Sequence, residues 1–149
     1  MTEAGNANQG PQLGIVRVYL KDVSFESPSS PEAFKGDFNP EIKLDVSSSS
    51  KKVDEKIYEV NLELTAEAKS GDKTVFIVEL QQAGLFHVEG MEGEQLNQAL
   101  GIFCPATLFP YARTNVDHLL NQGSFPSLML APINFEQIYK QRTAQNNSH

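Results

Sequence analysis

The residues able to do chemistry are few and scattered. His87, His118 and His149 stand far apart, and no cysteine or carboxylate lies at ligand spacing from any of them, so no metal site is expected. Cys104, the single cysteine, precedes Pro105 and has no evident base, which makes it a small core residue rather than a nucleophile. The run Gly90-Met91-Glu92-Gly93-Glu94 is glycine-rich, but it lacks a lysine and its acids repel phosphate. It reads as a strand-to-helix turn. The acids of the second and third strands fall where alternation sends them to water, leaving no pair of buried carboxylates with opposed pKa values. These residues point away from an enzyme.

The remaining composition narrows the class. Twelve basic against nineteen acidic residues in a chain of 149 give a net charge of -7, which repels nucleic acid and anionic membranes. One cysteine builds no intrachain disulfide framework, which fits a cytoplasmic location. The longest charge-free stretch, residues 95 to 112, contains Gln95, Asn97, Gln98, Pro105 and Pro110, so no membrane insertion is expected. Residues 1 to 12 carry neither a basic nor an apolar signal region and are expected to be a disordered tail, as are residues 144 to 149. Residues 13 to 143 are expected to form a single domain.

The elements run from strand-rich to helix-rich, which predicts an α+β fold. A first strand, Leu13 to Glu26, is rich in β-branched and aromatic residues and is followed by a proline-punctuated crossover. From Glu41 to Val46 the sequence alternates, with Ile42, Leu44 and Val46 on one face. Ser47 to Ser50 read as a loop, because hydroxyl side chains compete for backbone hydrogen bonds. A third strand spans Ile57 to Ala68, Ser70-Gly71-Asp72 makes a hairpin turn, and a fourth spans Lys73 to Val88. The expectation is a four-stranded, largely antiparallel sheet with a crossover loop after strand 1.

Two C-terminal helices should pack on one face of it. Residues 91 to 149 hold three basic and four acidic residues, against nine and fifteen in residues 1 to 90. Leu96, Leu100 and Phe103, then Ala112, Val116, Leu119 and Leu120, fall at helical spacing, with Gly123 as C-cap. Pro105 and Pro110 should interrupt or kink this first helix. A second begins near Asn134 and carries Phe135, Ile138 and Tyr139. A helix so poor in charge either meets another subunit or displays neutral polar residues such as Asn97, Gln98, Thr114 and Asn121.

Apolar residues in irregular places, including Phe34, Phe38, Leu85, Phe86, Phe135 and Tyr139, could line a groove or close the rim of an ordinary core. A small-ligand carrier or enzyme with a curved antiparallel sheet around an apolar pocket stays open on this ground. It requires an acid or histidine beside a tyrosine, and His87 with Tyr58 is the pairing available. A purely structural oligomerisation module is the third reading.

Four segments together resemble the SecB family of protein-export chaperones. They are Lys21-Asp22-Val23-Ser24-Phe25-Glu26, Val75 to Phe86 (VFIVELQQAGLF), Cys104-Pro105 followed by Leu108 to Arg113 (LFPYAR), and Gly123 to Phe135 (GSFPSLMLAPINF). The chain departs from the family pattern at Ala83, where glycine is typical, and at Phe38, where tryptophan is common. The resemblance implies an ATP-independent holdase, a cytosolic homotetramer built as a dimer of dimers. It would bind unfolded secretory precursors and deliver them to the translocation ATPase SecA, with no cofactor of its own.

Residue by residue, the resemblance assigns client binding to Phe38, Ile42, Leu44, Val46, Tyr58, Leu85, Phe86, Phe135 and Tyr139. It assigns SecA binding to Asp22, Glu26, Ile77 and Glu79, and the oligomer interface to Val78, Leu80 and Gln82. Strand alternation puts Asp22, Ser24 and Glu26 on one face of strand one, and Ile77 and Glu79 on the face of strand four opposite Val78, Leu80 and Gln82.

Overall fold

The computed structural model describes residues 10 to 147, with side chains through residue 145. Residues 1 to 9, 148 and His149 lie outside the described residues, and with them most of the expected N-terminal tail and the end of the C-terminal one.

Strands β1 (Gln12–Glu26), β2 (Glu41–Asp54), β3 (Ile57–Ser70) and β4 (Lys73–Glu89) form one antiparallel sheet in the order β1-β4-β3-β2. The β3–β4 hairpin closes on Gly71, whose φ of 63° is left-handed and suits glycine. The crossover from β1 to β2 carries the chain from one edge of the sheet to the other through a 3-10 turn at Glu32–Phe34.

The serine run is a correction. Ser47 to Ser50 pair with Glu63, Leu62, Asn61 and Val60 of β3, so they belong to β2 rather than to a loop. A continuous ladder against a long neighbour satisfies each backbone group more completely than a local hydroxyl does.

β1 follows a rhythm of its own. Register shifts between Ile15 and Arg17 and between Leu20 and Asp22 mark two bulges, at Val16 and Lys21. Each bulge advances the alternation by one residue, so Leu13, Ile15, Val18, Leu20, Val23 and Phe25 all share the helix side. The spacing of those apolar residues, two, three, two, three, two, is the trace of both bulges in the sequence. Beyond Lys21 the same shift turns Asp22, Ser24 and Glu26 to the outer side.

The first helix is continuous but irregular: α1 (Gly93–Gln98), a π-helical turn (Ala99–Phe103), then α2 (Cys104–Gln122). Pro105 has no amide to donate, so the carbonyl of Gly101, four residues earlier, loses its α-helical partner and the coil widens there. The interruption therefore precedes Pro105, and the helix runs on through Pro110. One face of α2, built from Cys104, Leu108, Ala112, Val116 and Leu120 at four-residue spacing, is fully buried against β3 and β4. Each large aliphatic side chain so covered stabilises the fold by about 1.5–3 kcal/mol. The opposing sheet face supplies Val60, Leu62, Leu64, Phe76, Val78 and Phe86.

Gly123 ends α2, its amide donating to the carbonyls of Leu119 and Leu120, and Phe125 then donates back to Leu120 at 2.8 Å. This turn aims the Phe125 ring at the sheet. The last helix, α3 (Phe135–Asn147), is capped by Asn134, whose Oδ1 accepts from the Gln137 amide at 3.0 Å. It continues past residue 143, where the domain was expected to end.

Candidate client groove and docking face

The sheet separates two surfaces of opposite character. On its outer side the register places Asp22 opposite Gln81, Ser24 opposite Glu79 and Glu26 opposite Ile77. Across β4, Gln81, Glu79 and Ile77 face Glu63, Thr65 and Glu67 of β3. The four residues assigned to SecA binding are thus brought together, and Glu63 and Glu67, absent from that assignment, extend the same acidic face. Alternation along β3 was sufficient to show that they point outward; their proximity to Asp22 required the strand order.

The helix side carries the apolar residues. Phe125, only 3 % exposed, is the hub of an aromatic cluster, with ring centroids 5.2 Å from Phe76, 5.5 Å from Phe34, 6.0 Å from Phe38 and 6.5 Å from Phe25. Phe34 and Phe38 remain exposed on top of it. A depression beside them is lined by Ala33, Phe38, Pro40, Lys73 and Val75. Sequence reasoning quoted Phe125 within a motif but assigned it no role; its place just after the helix-ending Gly123 was the available signal.

A second depression runs between β2 and α3, lined by Val46, Ser48, Gly101, Phe135, Tyr139 and Arg142. Phe135 is 6 % exposed and sets its ring 6.1 Å from Phe109. Tyr139 sets one edge of its ring against Gly101, where a Cβ would come within 2.8 Å of it, and donates its hydroxyl to Glu94 at 2.9 Å. Val46, Phe135 and Tyr139 are therefore brought together, with Leu44 and Ile42 continuing the same face of β2 toward its start at the crossover. Tyr58 and Phe86 are paired across β3 and β4 on the helix side, Phe86 being 2 % exposed and part of the core. Leu85 is not with them: it opposes Arg17 and Glu59 on the outer side.

Val78, Leu80 and Gln82 lie on the helix side and are already buried within one chain. Gln82 links three elements, accepting from Asn115 of α2 at 2.7 Å and donating to the Tyr19 carbonyl of β1 at 3.1 Å.

One acid departs from the expected solvated face. Glu59 points outward yet is 8 % exposed, because Tyr19 and Lys21 reach it across the sheet. Tyr19 donates to its Oε2 at 2.5 Å, Lys21 donates to both oxygens at 3.1 Å, and Lys51 of β2 stands 3.9 Å away. The Tyr19 hydrogen bond, with Lys21 and Lys51, holds the carboxyl below its usual range against the opposing pull of burial. Burial, reinforced by Glu59, pushes the Tyr19 phenol up to about 12.

The other titratable candidates are placed plainly. Cys104 is buried, and burial pushes its thiol up to about 12, so it stays protonated. His87 lies on the outer side, 3.5 Å from Glu89, while Tyr58 lies on the helix side, so the pairing needed for a ligand pocket is divided by the sheet. His118 is exposed on α2. Among the described residues no group of three histidine, cysteine or acidic side chains is arranged to hold a metal, and no helix is long and apolar enough to cross a membrane.

The family described as "Preprotein translocase subunit SecB" matches residues 6 to 146. The chain belongs to the SecB family. It is 52% identical over 139 residues to the protein-export protein SecB of Marinobacter nauticus, covering 93% of this chain and 84% of that one. With the SecB of a Marinomonas species it shares 52% over 129 residues, covering 87% and 81%. Among solved structures, a SecB-like chaperone of Mycobacterium tuberculosis in complex with a ChAD peptide from the HigA1 antitoxin shares the fold. The TM-score is 0.67 at 17% identity, over 82% of this chain and 91% of that one. The chain is accordingly a chaperone of the protein-export type.

Proposed function

We propose that this chaperone holds unfolded secretory precursors on the helix side of its sheet while the outer acidic face docks the translocation ATPase SecA. The observation that carries this reading is the exposure of Phe34 and Phe38 on a buried Phe125, an apolar surface that folding of one chain leaves open. Phe38, Ile42, Leu44, Val46, Phe135 and Tyr139 form the contact surface, with Tyr58 and Phe86 supporting it from beneath. An unfolded chain offers apolar side chains to several such surfaces at once. Each contact is weak, and linkage raises the effective concentration to roughly the millimolar range, which slows release. Folded proteins hide the same segments and do not bind, so the holdase needs no ATP and selects slow folders. Asp22, Glu26, Ile77 and Glu79 supply carboxylates around an apolar contact for a basic partner segment.

The same reading includes a cytoplasmic homotetramer, a dimer of dimers. Its support is the uncovered helix side of β1, where Leu13, Ile15, Leu20 and Val23 are 38–51% exposed because α2 lies over β3 and β4. Phe103 of the π-helical turn and Tyr111 of α2 are exposed as well. Val78, Leu80 and Gln82 act on assembly through α2, which Gln82 grips by way of Asn115.

Light scattering after chromatography tests the proposal, with a denatured, slow-folding precursor diluted into the chaperone. Four chains of 16.5 kDa give a species of about 66 kDa that gains the client's mass and ignores the folded form. A stable oligomer that never takes up client overturns it.

A further inference from the structure

Helix α3 stands between two depressions of unequal size. On its β2 side the gap at Val46 and Phe135 encloses about 270 Å³. On its other side, between α3 and α1 with its π-helical turn, an open depression of about 680 Å³ is lined by Glu94, Gln98, Ile102, Tyr139, Lys140 and Ala144. Tyr139 borders both, so its side chain is the wall they share. The wider one has room for a long side chain.

The charges around the wider depression do not cancel. Lys140 pairs with Glu136, one turn earlier on α3, at 3.5 Å. Glu94 has no such partner: its Oε2 accepts from the Tyr139 hydroxyl at 2.9 Å and from Gln98 Nε2 at 3.3 Å, while among the described residues nothing donates to Oε1 and no cation pairs with it. Two neutral donors thus hold the carboxylate in place and leave its other oxygen unmatched, at the border of an apolar floor of Ile102, Tyr139 and Ala144. Such a site suits a cationic head on an aliphatic stem, the stem lying on the floor and the head meeting Oε1. In an extended chain, side chains two residues apart point the same way at roughly 7 Å, so one can enter each depression across the Tyr139 ring.

We propose that the depression between α1 and α3 is a further client subsite that takes a lysine or arginine side chain of the unfolded chain, with Glu94 as the residue that selects it. The inference rests on the helix side being the client surface. To that surface it adds a preference for an apolar residue with a basic one two positions away. A chain of net charge -7 attracts cations over its whole surface, and Glu94 makes that attraction local.

Fluorescence anisotropy of two labelled, unfolded peptides on the full chain tests this. The peptides share a phenylalanine and differ two residues away, where one carries lysine and the other glutamine. At low salt the ratio of lysine-peptide to glutamine-peptide affinity should be about threefold higher in the parent than in Glu94→Gln, within the range of a solvent-exposed ion pair. Glu94→Gln still offers Tyr139 an acceptor, so the local packing is kept. Glu94→Lys should lower the ratio further, and Glu55→Gln, which removes the same charge from the β2–β3 turn, should keep the parent's ratio. A ratio unchanged in both Glu94 variants, or lowered equally by Glu55→Gln, overturns the subsite. A fall in oligomer mass in Glu94→Lys assigns the depression to a second copy of the chain and overturns it too. If neither peptide binds the parent, or Phe38→Ser weakens neither, the client surface itself falls and the subsite with it. If Phe38→Ser weakens both while the ratio ignores Glu94, the subsite alone falls.

Discussion

Tyr19 on the edge strand β1 reaches across β4, over Ala83, to hydrogen-bond Glu59 on β3 at 2.5 Å. Ala83 is fully buried although it lies on the outer side of the sheet. A larger residue there would lift the phenol away from its partner, which gives a physical reason for a small one. The departure from glycine to alanine at this position is compatible with the bridge.

The bridge has a defined pH window. Glu59 titrates below its ordinary value of 4.5, so its contribution is full above that value and is lost as pH falls through the lowered pKa. Tyr19 is shifted the other way: its contribution is full below pH 10.0 and is lost as pH rises through about 12. Lys21 and Lys51 face the same carboxylate from β1 and β2. Ultraviolet titration should show one tyrosine near pH 12 that disappears in Tyr19→Phe and moves toward the ordinary value in Glu59→Gln. A Tyr19 midpoint unaffected by Glu59→Gln would remove the bridge.

Phe125→Ala is expected to cost about 3–5 kcal/mol in chemical denaturation, because the ring is the buried centre of four aromatic contacts. Phe38→Ser, at an exposed ring of the same cluster, should change stability by less than about 1 kcal/mol yet weaken precursor affinity, without altering oligomer mass. The two variants separate a structural hub from a contact surface. Equal affinity for precursor in Phe38→Ser and the parent would exclude that surface.

Gly101→Ala adds a methyl within 2.8 Å of the Tyr139 ring. Helix propensity alone favours alanine by about 1 kcal/mol, while overpacking costs about 1–3 kcal/mol, so the single variant should loosen α3. Limited proteolysis within α3 reports this directly. Combining the change with Tyr139→Ala restores the space, and the double variant should be less sensitive to Gly101→Ala than the parent is.

Glu79→Lys reverses a charge at the middle of the acidic face, beside Ser24 and Thr65. SecA affinity should fall, and the difference from the parent should shrink at high salt as screening shortens the reach of the charges. A salt-independent loss would point to disturbed folding, which amide exchange would register.

Much of the architecture was legible because hydrophobic periods are local. The alternation of Tyr58, Val60, Leu62 and Leu64 and the four-residue stripe of α2 are properties of neighbouring residues, and the structure keeps both. Ser47 to Ser50 were misread because their strand state is decided by β3, a partner no local rule sees. The place of the helix interruption depended on which carbonyl Pro105 deprives, not on where the proline stands. At the site, alternation sorted the outward acids correctly but could not show that Glu59 is enclosed, since its cover comes from a strand about forty residues away. Leu85 and Phe86 show the opposite limit: adjacent in sequence and both apolar, they are divided by the sheet.

The serine run of β2 has a further meaning on an exposed edge. A protein that works among unfolded chains risks templating them, because a free strand edge offers unpaired backbone groups to any extended neighbour. Four serines followed by Lys51 and Lys52 make this border a poor seed for cross-β growth, and Arg142 from α3 occupies the Ser48 carbonyl at 3.1 Å. The edge nearest the proposed groove is thus built of residues that disfavour aggregation.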